Sequence, residues 1–312
     1  MQVKLFGILW SNSFFFSIFI FTVVTRTAVC GFGSVLINFK MSTATVCTSS
    51  NCVAKEQLNL PPVQSVKDRR DLFLTLDEPI FSQFFTKKFS KELYLEQVHI
   101  PRQINYSARF FENDFCEALT KNHWWITPVV WIPVAAVMFY LSNLGLSDKL
   151  SIWGIGLLVW TIFEYVFHRF VFHCDDIIPD HPYFLMLHFF THAVHHYFPF
   201  DPLRLAMPPA LFTILAVPTW CLFNLFVPTP ANLALFSGIF VGFTFYDVIH
   251  FYLHHGAEKS VIPHVRRMRT YHAIHHYKEP DRGYGVTSKL WDRVFGTLIV
   301  PGSKKSKLGK AT

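Results

Sequence analysis

Four apolar runs of about 20 residues constrain the fold of this chain more than any other feature of its sequence. They cover residues 126–146, 150–167, 203–227 and 230–249. Each run is close to the roughly 20 apolar residues that a helix needs to cross the hydrocarbon core of a bilayer. In the whole chain, 51% of the residues are hydrophobic and only 16% are charged, which is unusual for a soluble protein. We therefore predict an all-α integral membrane protein with four spans.

The four spans are predicted to pair as two transmembrane helical hairpins. The connections inside the hairpins are short, at residues 147–149 and 228–230, whereas the segments outside them carry nearly all of the Lys and Arg. Because basic loops stay on the cytosolic side of a membrane, both hairpins should enter from the cytosol. The formal charge of +7 then belongs to this membrane face, since 12 of the 28 Lys and Arg follow His255. A nucleic-acid binder is excluded because no basic, aromatic platform lies away from the membrane flanks.

The N-terminal region allows two interpretations. Residues 5–25 are long and apolar enough for a signal anchor or a spanning helix. Met41, however, begins a polar stretch rich in Ser and Thr that is typical of an ordinary protein start, so residues 1–40 are either a hydrophobic anchor or an upstream extension. Residues 41–105 are predicted to be a polar cytosolic leader.

The functional domain is predicted to span residues 106–300, followed by a basic tail at 301–312. Residues 107–125 mix aromatic and charged residues at helical spacing before a Trp pair, which predicts an interfacial helix with a Trp anchor. The orientation also places the glycosylation sequon at Asn105 in the cytosol.

Histidine is the residue in excess, with 16 copies, and ten of them form four clusters that follow the second and fourth spans. Positions i, i+3 and i+4 share one face of a helix, so an HxxHH motif can direct three imidazoles inward and an HxxxH motif two. The i, i+5 pair of the first cluster shares no such face, so we expect the helix to end or loosen there. The clusters are His168 and His173; His192, His195 and His196; His250 and His254; and His272, His275 and His276.

An even number of spans separates the first two clusters from the last two, so all four should meet at one membrane face as a cytosolic helical cap. Ten neutral imidazoles suit two first-row metal ions with about five ligands each. A thiolate zinc module is excluded because the six Cys form no CxxC motif. A single interfacial His is more often a satisfied polar group, and we interpret the six outside the spacing in that way: His99, His123, His181, His188, His255 and His264.

The sequence around these clusters resembles the fatty acid hydroxylase superfamily, and most closely the fatty acid 2-hydroxylases. The resemblance covers roughly residues 110–300. The histidine motifs alone are shared with sterol desaturases and carotene hydroxylases, but the segments beside them narrow the choice. These segments are Phe111-Glu-Asn-Asp, Trp124-Trp125 through Pro128-Val-Val-Trp-Ile-Pro133, Glu164-Tyr165, and Gly285-Val-Thr-Ser-Lys-Leu-Trp-Asp-Arg-Val-Phe-Gly-Thr. The ten metal-site histidines of the family fall on the ten clustered histidines of this chain.

The resemblance implies a monooxygenase of the endoplasmic reticulum membrane, with its histidines and both ends of the hydroxylase domain cytosolic. Such an enzyme uses O₂ and two electrons to hydroxylate C2 of a long-chain fatty acid or of the N-acyl chain of a sphingolipid. Iron is expected as the catalytic metal because zinc has no redox chemistry, although zinc can occupy nitrogen sites during isolation. No His-Pro-Gly-Gly haem motif precedes His168. Electrons would therefore come from a separate cytochrome b5 and its reductase, for which the basic tail is a candidate docking surface.

Four further features have a functional and a structural interpretation. Tyr246 and Asp247 lie within one turn of His250 and could orient a substrate head group or an imidazole, or be an interfacial aromatic and a cap. Glu164 could support a metal ligand or be a surface charge, and residues 174–181 could be a lid or an ordinary loop. The apolar groove between the spans is expected to hold the acyl tail.

Two other functions compete with this prediction. One is a sterol-modifying oxygenase of the same superfamily. The other is a histidine-rich membrane protein that binds or transports metal ions, but a transporter needs ionisable residues in mid-membrane, where these spans have almost none.

Overall fold

The structure, a computed structural model, describes residues 72–300. The predictions for residues 1–40 and for the tail at 301–312 lie outside the described residues. The described part is helical and contains no strand. In chain order its α-helices are α1 (Ile80–Thr86), α2 (Lys91–Val98), α3 (Asp114–Leu119), α4 (Ile126–Leu141), α5 (Leu146–Val166), α6 (Pro182–His188), α7 (Val194–Tyr197), α8 (Pro209–Asn224), α9 (Thr229–His255), α10 (Pro263–Tyr277) and α11 (Leu290–Val294).

The four predicted spans correspond to α4, α5, α8 and α9. Two continuous helices, Leu146–Phe172 and Thr229–His255, have 27 residues each and are long and apolar enough to cross a membrane. Helices α4 and α8 have 16 residues each, about 24 Å at the α-helical rise per residue, which is shorter than the hydrocarbon core. The four-span arrangement therefore remains a prediction.

The first hairpin connection differs from the predicted one at residues 147–149. Helix α4 ends at Leu141, and Gly145 is the N-cap of α5. Ser147, Asp148 and Lys149 lie in the first turn of α5. Polar residues are tolerated there because the first backbone N–H groups of a helix have no partner within it. The turn is therefore at residues 142–145. The second connection agrees better with the prediction, since Pro228 caps α9 and Pro230 lies in its first turn.

Helix α9 lies at the centre of the apolar bundle, and glycines let α5 approach it closely. A Cβ atom on Gly156 would lie 2.1 Å from the carbonyl oxygen of Leu235, and one on Gly238 would lie 2.1 Å from that of Trp153. Small residues at such crossings allow backbone contact that larger side chains prevent. On the other side of α9, the Ser237 hydroxyl donates to the carbonyl of Ala135 in α4 at 2.7 Å. Helix α9, which carries His250 and His254 near its C-terminal end, is thereby held on both sides.

A second core lies beside the bundle and includes part of the predicted leader. Phe73, Ile80, Phe84 and Tyr94 are buried together with Phe189 and other residues of the segment that carries the second histidine cluster. The boundary predicted at residue 106 is therefore not the start of the folded part. Helices α1 and α2 have only 7 and 8 residues. A helix this short contains too few apolar residues for periodicity alone to predict the packing.

The interfacial helix predicted over residues 107–125 is largely absent. Only Asp114–Leu119 is helical, with the Asn113 side chain accepting from the backbone N–H groups of Phe115 and Cys116. The buried Glu117 carboxylate accepts from the Phe110 and Phe111 backbone and from Arg204. These contacts hold residues 107–113 in an extended path, which competes with helix formation. The Trp pair is half exposed at the start of α4, as a Trp anchor requires.

Candidate metal centre

The first histidine cluster lies on a π-helical segment, Phe167–Phe172, that continues α5. The backbone N–H of His173 donates to the carbonyl of His168 at 3.0 Å, which is the i to i+5 hydrogen bond of a π-turn. This wider turn brings residues five apart onto one face, and the two imidazole centroids are 5.0 Å apart. The expected loosening of the helix is confirmed.

The HxxHH motifs each divide their histidines between two positions in space. In the first motif the Nε2 atoms of His192 and His196 are 3.1 Å apart, whereas His195 faces α9 and has its ring 4.5 Å from that of His250. In the second motif the Nε2 atoms of His272 and His276 are 3.0 Å apart. His275 points away from them and meets His173 with an Nε2 to Nε2 distance of 3.1 Å.

The ten clustered histidines form two groups of five, and in each group the ligand nitrogen atoms lie within 4.8 Å of one another. The groups are adjacent, because the rings of His196 and His276 stack at 4.1 Å. Each HxxHH motif gives its i and i+4 imidazoles to one group and its i+3 imidazole to the other. The first histidine group is His168, His173, His192, His196 and His275, and the second histidine group is His195, His250, His254, His272 and His276.

The nitrogen contacts inside the groups cannot all be hydrogen bonds. His272 Nε2 lies 2.9 Å from Nε2 of His250 and 3.0 Å from those of His254 and His276. A neutral imidazole nitrogen has either one proton or one lone pair, so it satisfies at most one of these three neighbours. His168 Nε2 and both ring nitrogens of His195 are buried and have no hydrogen-bond partner in the described part of the chain. Such unpaired buried groups are costly unless an ion binds them.

Electrostatics keep these imidazoles in the form that binds metal. Burial, followed by repulsion from neighbouring imidazoles, lowers the pKa of His195, His196, His272 and His276 well below its usual value. A metal ligand must be neutral imidazole. Two ligand nitrogens bound at about 2.1 Å and at right angles would be about 3.0 Å apart, which matches the observed contacts. The two groups therefore fit metal ions bound entirely by nitrogen.

Two backbone carbonyls fix the orientation of the first histidine group. His168 Nδ1 is 2.6 Å from the carbonyl oxygen of Tyr284, and His275 Nδ1 is 2.7 Å from that of Arg282. Each Nδ1–H can donate to its carbonyl, which leaves the Nε2 lone pair directed into the group. Among residues 72–300 no such partner is found for Nδ1 of one histidine in the first group, His196, or of three in the second, His195, His272 and His276. The two groups thus differ in how the protein supports them.

Buried carboxylates hold the loop that contains these carbonyls. Asp292 accepts from the backbone N–H of Tyr284 at 3.0 Å and of Gly285 at 2.9 Å. Glu164 of α5 accepts from the Val286 and Thr287 backbone at 2.8 and 2.7 Å. Because Glu164 is only 5% exposed, its interpretation as a surface charge is wrong. Asp292 lies in one of the segments that carry the family resemblance, but its role is visible only in the folded chain.

Tyr246 and Asp247 have different surroundings. The Asp247 carboxylate accepts from the Thr127 hydroxyl at 2.7 Å and from the Met207 backbone N–H at 3.0 Å, and therefore joins α9 to α4 and to the segment that precedes α8. It contacts no imidazole of either group in the described hydrogen bonds. The Tyr246 ring is 5.7 Å from that of His250.

Two histidines that the spacing sets aside lie close to the first histidine group. His99 bonds to Asp175 at 2.8 Å, and its ring is 5.9 Å from that of His196. His188 bonds to the Tyr94 hydroxyl at 2.7 Å. Burial alone would raise the pKa of Asp175, but the close imidazoles of His188, 3.3 Å away, and of His99 lower it below its usual value. This network also pins the start of the 174–181 connection. No sequence motif indicates the contact between His99 and Asp175, because the two residues are 76 positions apart in the chain.

An apolar cavity lies between α5, α8 and α9, and two of its lining residues are next to the histidine groups. Its atom-free space is about 560 Å³ when the open side is counted, and the centres of water-sized spheres fit within about 50 Å³ of it. Thr219 and Phe236 line its deep end, and Phe172 and Tyr246 line the end toward the histidines. The Phe172 ring stacks on His192 at 5.0 Å. The walls are almost entirely apolar, with Glu164 as the one charged group among the described lining residues.

Comparisons with known proteins give consistent results. The fatty acid hydroxylase family model matches residues 153–297. The ceramide very long chain fatty acid hydroxylase scs7 of Schizosaccharomyces pombe is 42% identical over 241 residues, which cover 76% of this chain and 69% of that protein. The dihydroceramide fatty acyl 2-hydroxylase FAH2 of Arabidopsis thaliana is 42% identical over 225 residues, 69% of this chain and 91% of that protein. A solved structure of full-length scs7p, with only the hydroxylase domain visible, matches with a TM-score of 0.72 and 40% identity over 77% of this chain and 91% of that one.

Proposed function

The chain belongs to the fatty acid hydroxylase family, and we propose that this oxidoreductase adds a hydroxyl group at C2 of a long-chain fatty acid or of the N-acyl chain of a sphingolipid. One observation carries the proposal. An apolar cavity is lined at one end by Phe172 and Tyr246, and the rings of these residues lie 5.0 Å from that of His192 and 5.7 Å from that of His250, one histidine in each of the two adjacent groups. Relatives at 42% identity are hydroxylases of ceramide and of dihydroceramide fatty acyl chains.

The ten clustered histidines would hold two metal ions, iron in the working enzyme and zinc as an occupant after isolation. When bound, a redox metal pair supplies the O₂ activation that no amino-acid side chain provides. The carbonyls of Tyr284 and Arg282 hold two of the imidazoles with Nε2 directed inward. Phe172 and Tyr246 exclude water at the cavity end beside His192 and His250.

The cavity suggests how C2 is selected. Its apolar walls favour burial of the hydrocarbon tail by about 0.8 kcal/mol for each methylene. The polar end of the substrate then lies nearest the histidines, and C2 is the first methylene that reaches them. We propose that Tyr246 borders this carbon. Asp247 acts as a positioning residue, because both of its oxygens already bind Thr127 and Met207.

We place the enzyme in the endoplasmic reticulum membrane with four spans, the histidine groups in the cytosol and both ends of the hydroxylase domain on the same side. The two 27-residue helices and the apolar helices α4 and α8 support this arrangement. Electrons come from a separate membrane cytochrome b5 and its reductase. Turnover measured against ionic strength tests an electrostatic approach of that partner, which salt weakens.

The test uses full-length protein reconstituted anaerobically with Fe²⁺ and supplied with a reducing partner, O₂ and three substrates: fatty acid, ceramide and sterol. We expect 2-hydroxy acyl products, identified by mass. His275→Ala and His195→Ala, one in each histidine group, should abolish the product, whereas the exposed His123→Ala should not. A hydroxylated sterol would favour the related sterol oxygenases, and metal flux without O₂ consumption would favour a transporter. Full activity in both group variants would refute the proposed site.

A further inference from the structure

A basic cleft lies on the outer side of α10, away from the histidine groups. Its atom-free space is about 910 Å³ when the open side is counted, and the centres of water-sized spheres fit within about 470 Å³ of it. Arg266, Arg267 and Lys289 are its charged residues, and Tyr271 and Ile299 form part of its floor. We call this feature the basic cleft. None of the residues assigned to hydroxylation above uses its cationic groups.

The three cations of the basic cleft form no ion pair within residues 72–300. No acidic residue is among the described residues that line it. The Asp292 carboxylate accepts from the hydroxyl of Tyr271, a lining residue, and from two backbone N–H groups. The Lys289 ammonium lies 4.2 Å from the centre of the Tyr271 ring. Burial, followed by the neighbouring Arg293 and Arg267 guanidinium groups, lowers the pKa of Lys289. A bound anion would relieve this repulsion.

The chain segments next to two lining residues of the basic cleft, Pro263 and Lys289, carry exposed apolar side chains. Val261 and Ile262, which precede α10, are 88% and 55% exposed. Leu290 and Val294, which follow Lys289 in the chain, are 52% and 55% exposed. Cationic side chains between exposed aliphatic ones are typical of a surface that meets lipid head groups while its apolar side chains enter the acyl boundary.

The cleft also lies at the level where α5 would leave the membrane. Trp291 Nε1 donates to the Thr161 hydroxyl of α5 at 3.1 Å. Three residues after Thr161 in α5, Glu164 accepts from the Thr287 backbone N–H. The Nε2 atom of His264 in α10 is 2.9 Å from the Thr287 carbonyl oxygen. The start of α10 and the whole of α11 are thereby held beside the last turns of a helix that is predicted to span the bilayer.

We propose that the basic cleft binds the phosphate group of an anionic phospholipid of the cytosolic leaflet, and that Val261, Ile262, Leu290 and Val294 insert beside it. The ligand is a membrane lipid that is not the hydroxylation substrate. A concave cationic site with exposed apolar side chains in the adjoining segments suits a single head group better than it suits the broad surface of an acidic protein. The inference rests on the membrane orientation in the proposed function and not on the reaction.

The test measures phosphatidic acid binding to the full-length protein in phosphatidylcholine nanodiscs by native mass spectrometry. Because each cation near a lipid surface contributes about five-fold in affinity, Arg267→Gln should weaken binding about five-fold, and replacing all three cleft cations by Gln should weaken it about 100-fold. Arg269→Gln is the matched control, since Arg269 is on another face of α10, 3.5 Å from Glu258. It should bind phosphatidic acid like the unchanged protein.

Three results would overturn the inference. Equal weakening by Arg267→Gln and Arg269→Gln, or no weakening by either, would show that the cleft is not the site. Displacement of phosphatidic acid by an equal concentration of inorganic phosphate would show a site for free anions. Unchanged phosphatidic acid binding together with slower reduction by cytochrome b5 would show a protein-docking surface. Product formation is assayed separately, so a failure of the proposed hydroxylation is distinguishable from a failure of lipid binding. Unfolding temperature and metal content of each variant confirm its fold.

Discussion

Replacing Asp292 by Asn should release metal from the first histidine group and spare the second. Each Asp292 carboxylate oxygen accepts a different backbone hydrogen bond. Oδ1 accepts from the Tyr284 N–H and Oδ2 from the Gly285 N–H. An Asn side chain has only one oxygen, so one of these buried N–H groups must face an NH₂ group. An unpaired buried donor costs about 1–3 kcal/mol. The loop then holds the Tyr284 carbonyl less firmly against His168.

Loss of such support typically lowers metal affinity about 10- to 100-fold. The assay is zinc content per chain after dialysis against a graded series of chelator concentrations. We expect the unchanged protein to hold two ions over a range in which Asp292→Asn holds one, because the second histidine group has no hydrogen bond to this loop. Tyr271→Phe is the control, since it removes one hydroxyl from Asp292 and leaves both backbone contacts. Parallel loss of both ions, or retention of both, would refute the reasoning.

Four other properties can be tested independently. Gly238→Ala should destabilise the protein in detergent by more than about 1–3 kcal/mol, because its Cβ would lie 2.1 Å from a backbone oxygen of α5; Gly154→Ala, with no atom within 4 Å, should be neutral or stabilising, and equal unfolding temperatures would contradict the close crossing. Metal-free protein should lose stability as the pH falls below about 6.5, the usual histidine pKa. The unfolded chain then binds protons, whereas the buried imidazoles of the folded chain stay neutral because their pKa is lowered. A flat unfolding temperature from pH 7.5 to 5.5 would be inconsistent with this. Thr219→Phe should fill the deep end of the cavity and shift products toward shorter acyl chains, as measured by product mass, whereas the exposed Thr213→Phe on the same helix should not. Asn105 should carry no glycan in eukaryotic cells, and a mapped glycan there would reverse the proposed orientation.

Local periodicity explains what could be predicted about the fold. The apolar runs correspond to α4, α5, α8 and α9 because helical propensity and hydrophobicity act over neighbouring residues. Boundaries were less accurate, as at the first hairpin, where α5 begins at Leu146, ahead of the turn predicted at residues 147–149. The second core was missed because Phe73 and Tyr94 are buried by residues about 100 positions away, and a short aromatic helix has no periodic signal of such a contact.

The chain by itself determined which histidines are brought together. Their spacing at i, i+3 and i+4 follows from 3.6 residues per turn, and the same geometry requires the break between His168 and His173. Only the tertiary structure decided how the ten divide. His195 is grouped with histidines of α9 and α10, and His275 is grouped with histidines of the first two clusters. This division depends on how the helices pack against one another, which the spacing within a motif does not specify. The support from Tyr284 and Arg282 comes from backbone carbonyls, which every residue type has, so no side-chain pattern could indicate it.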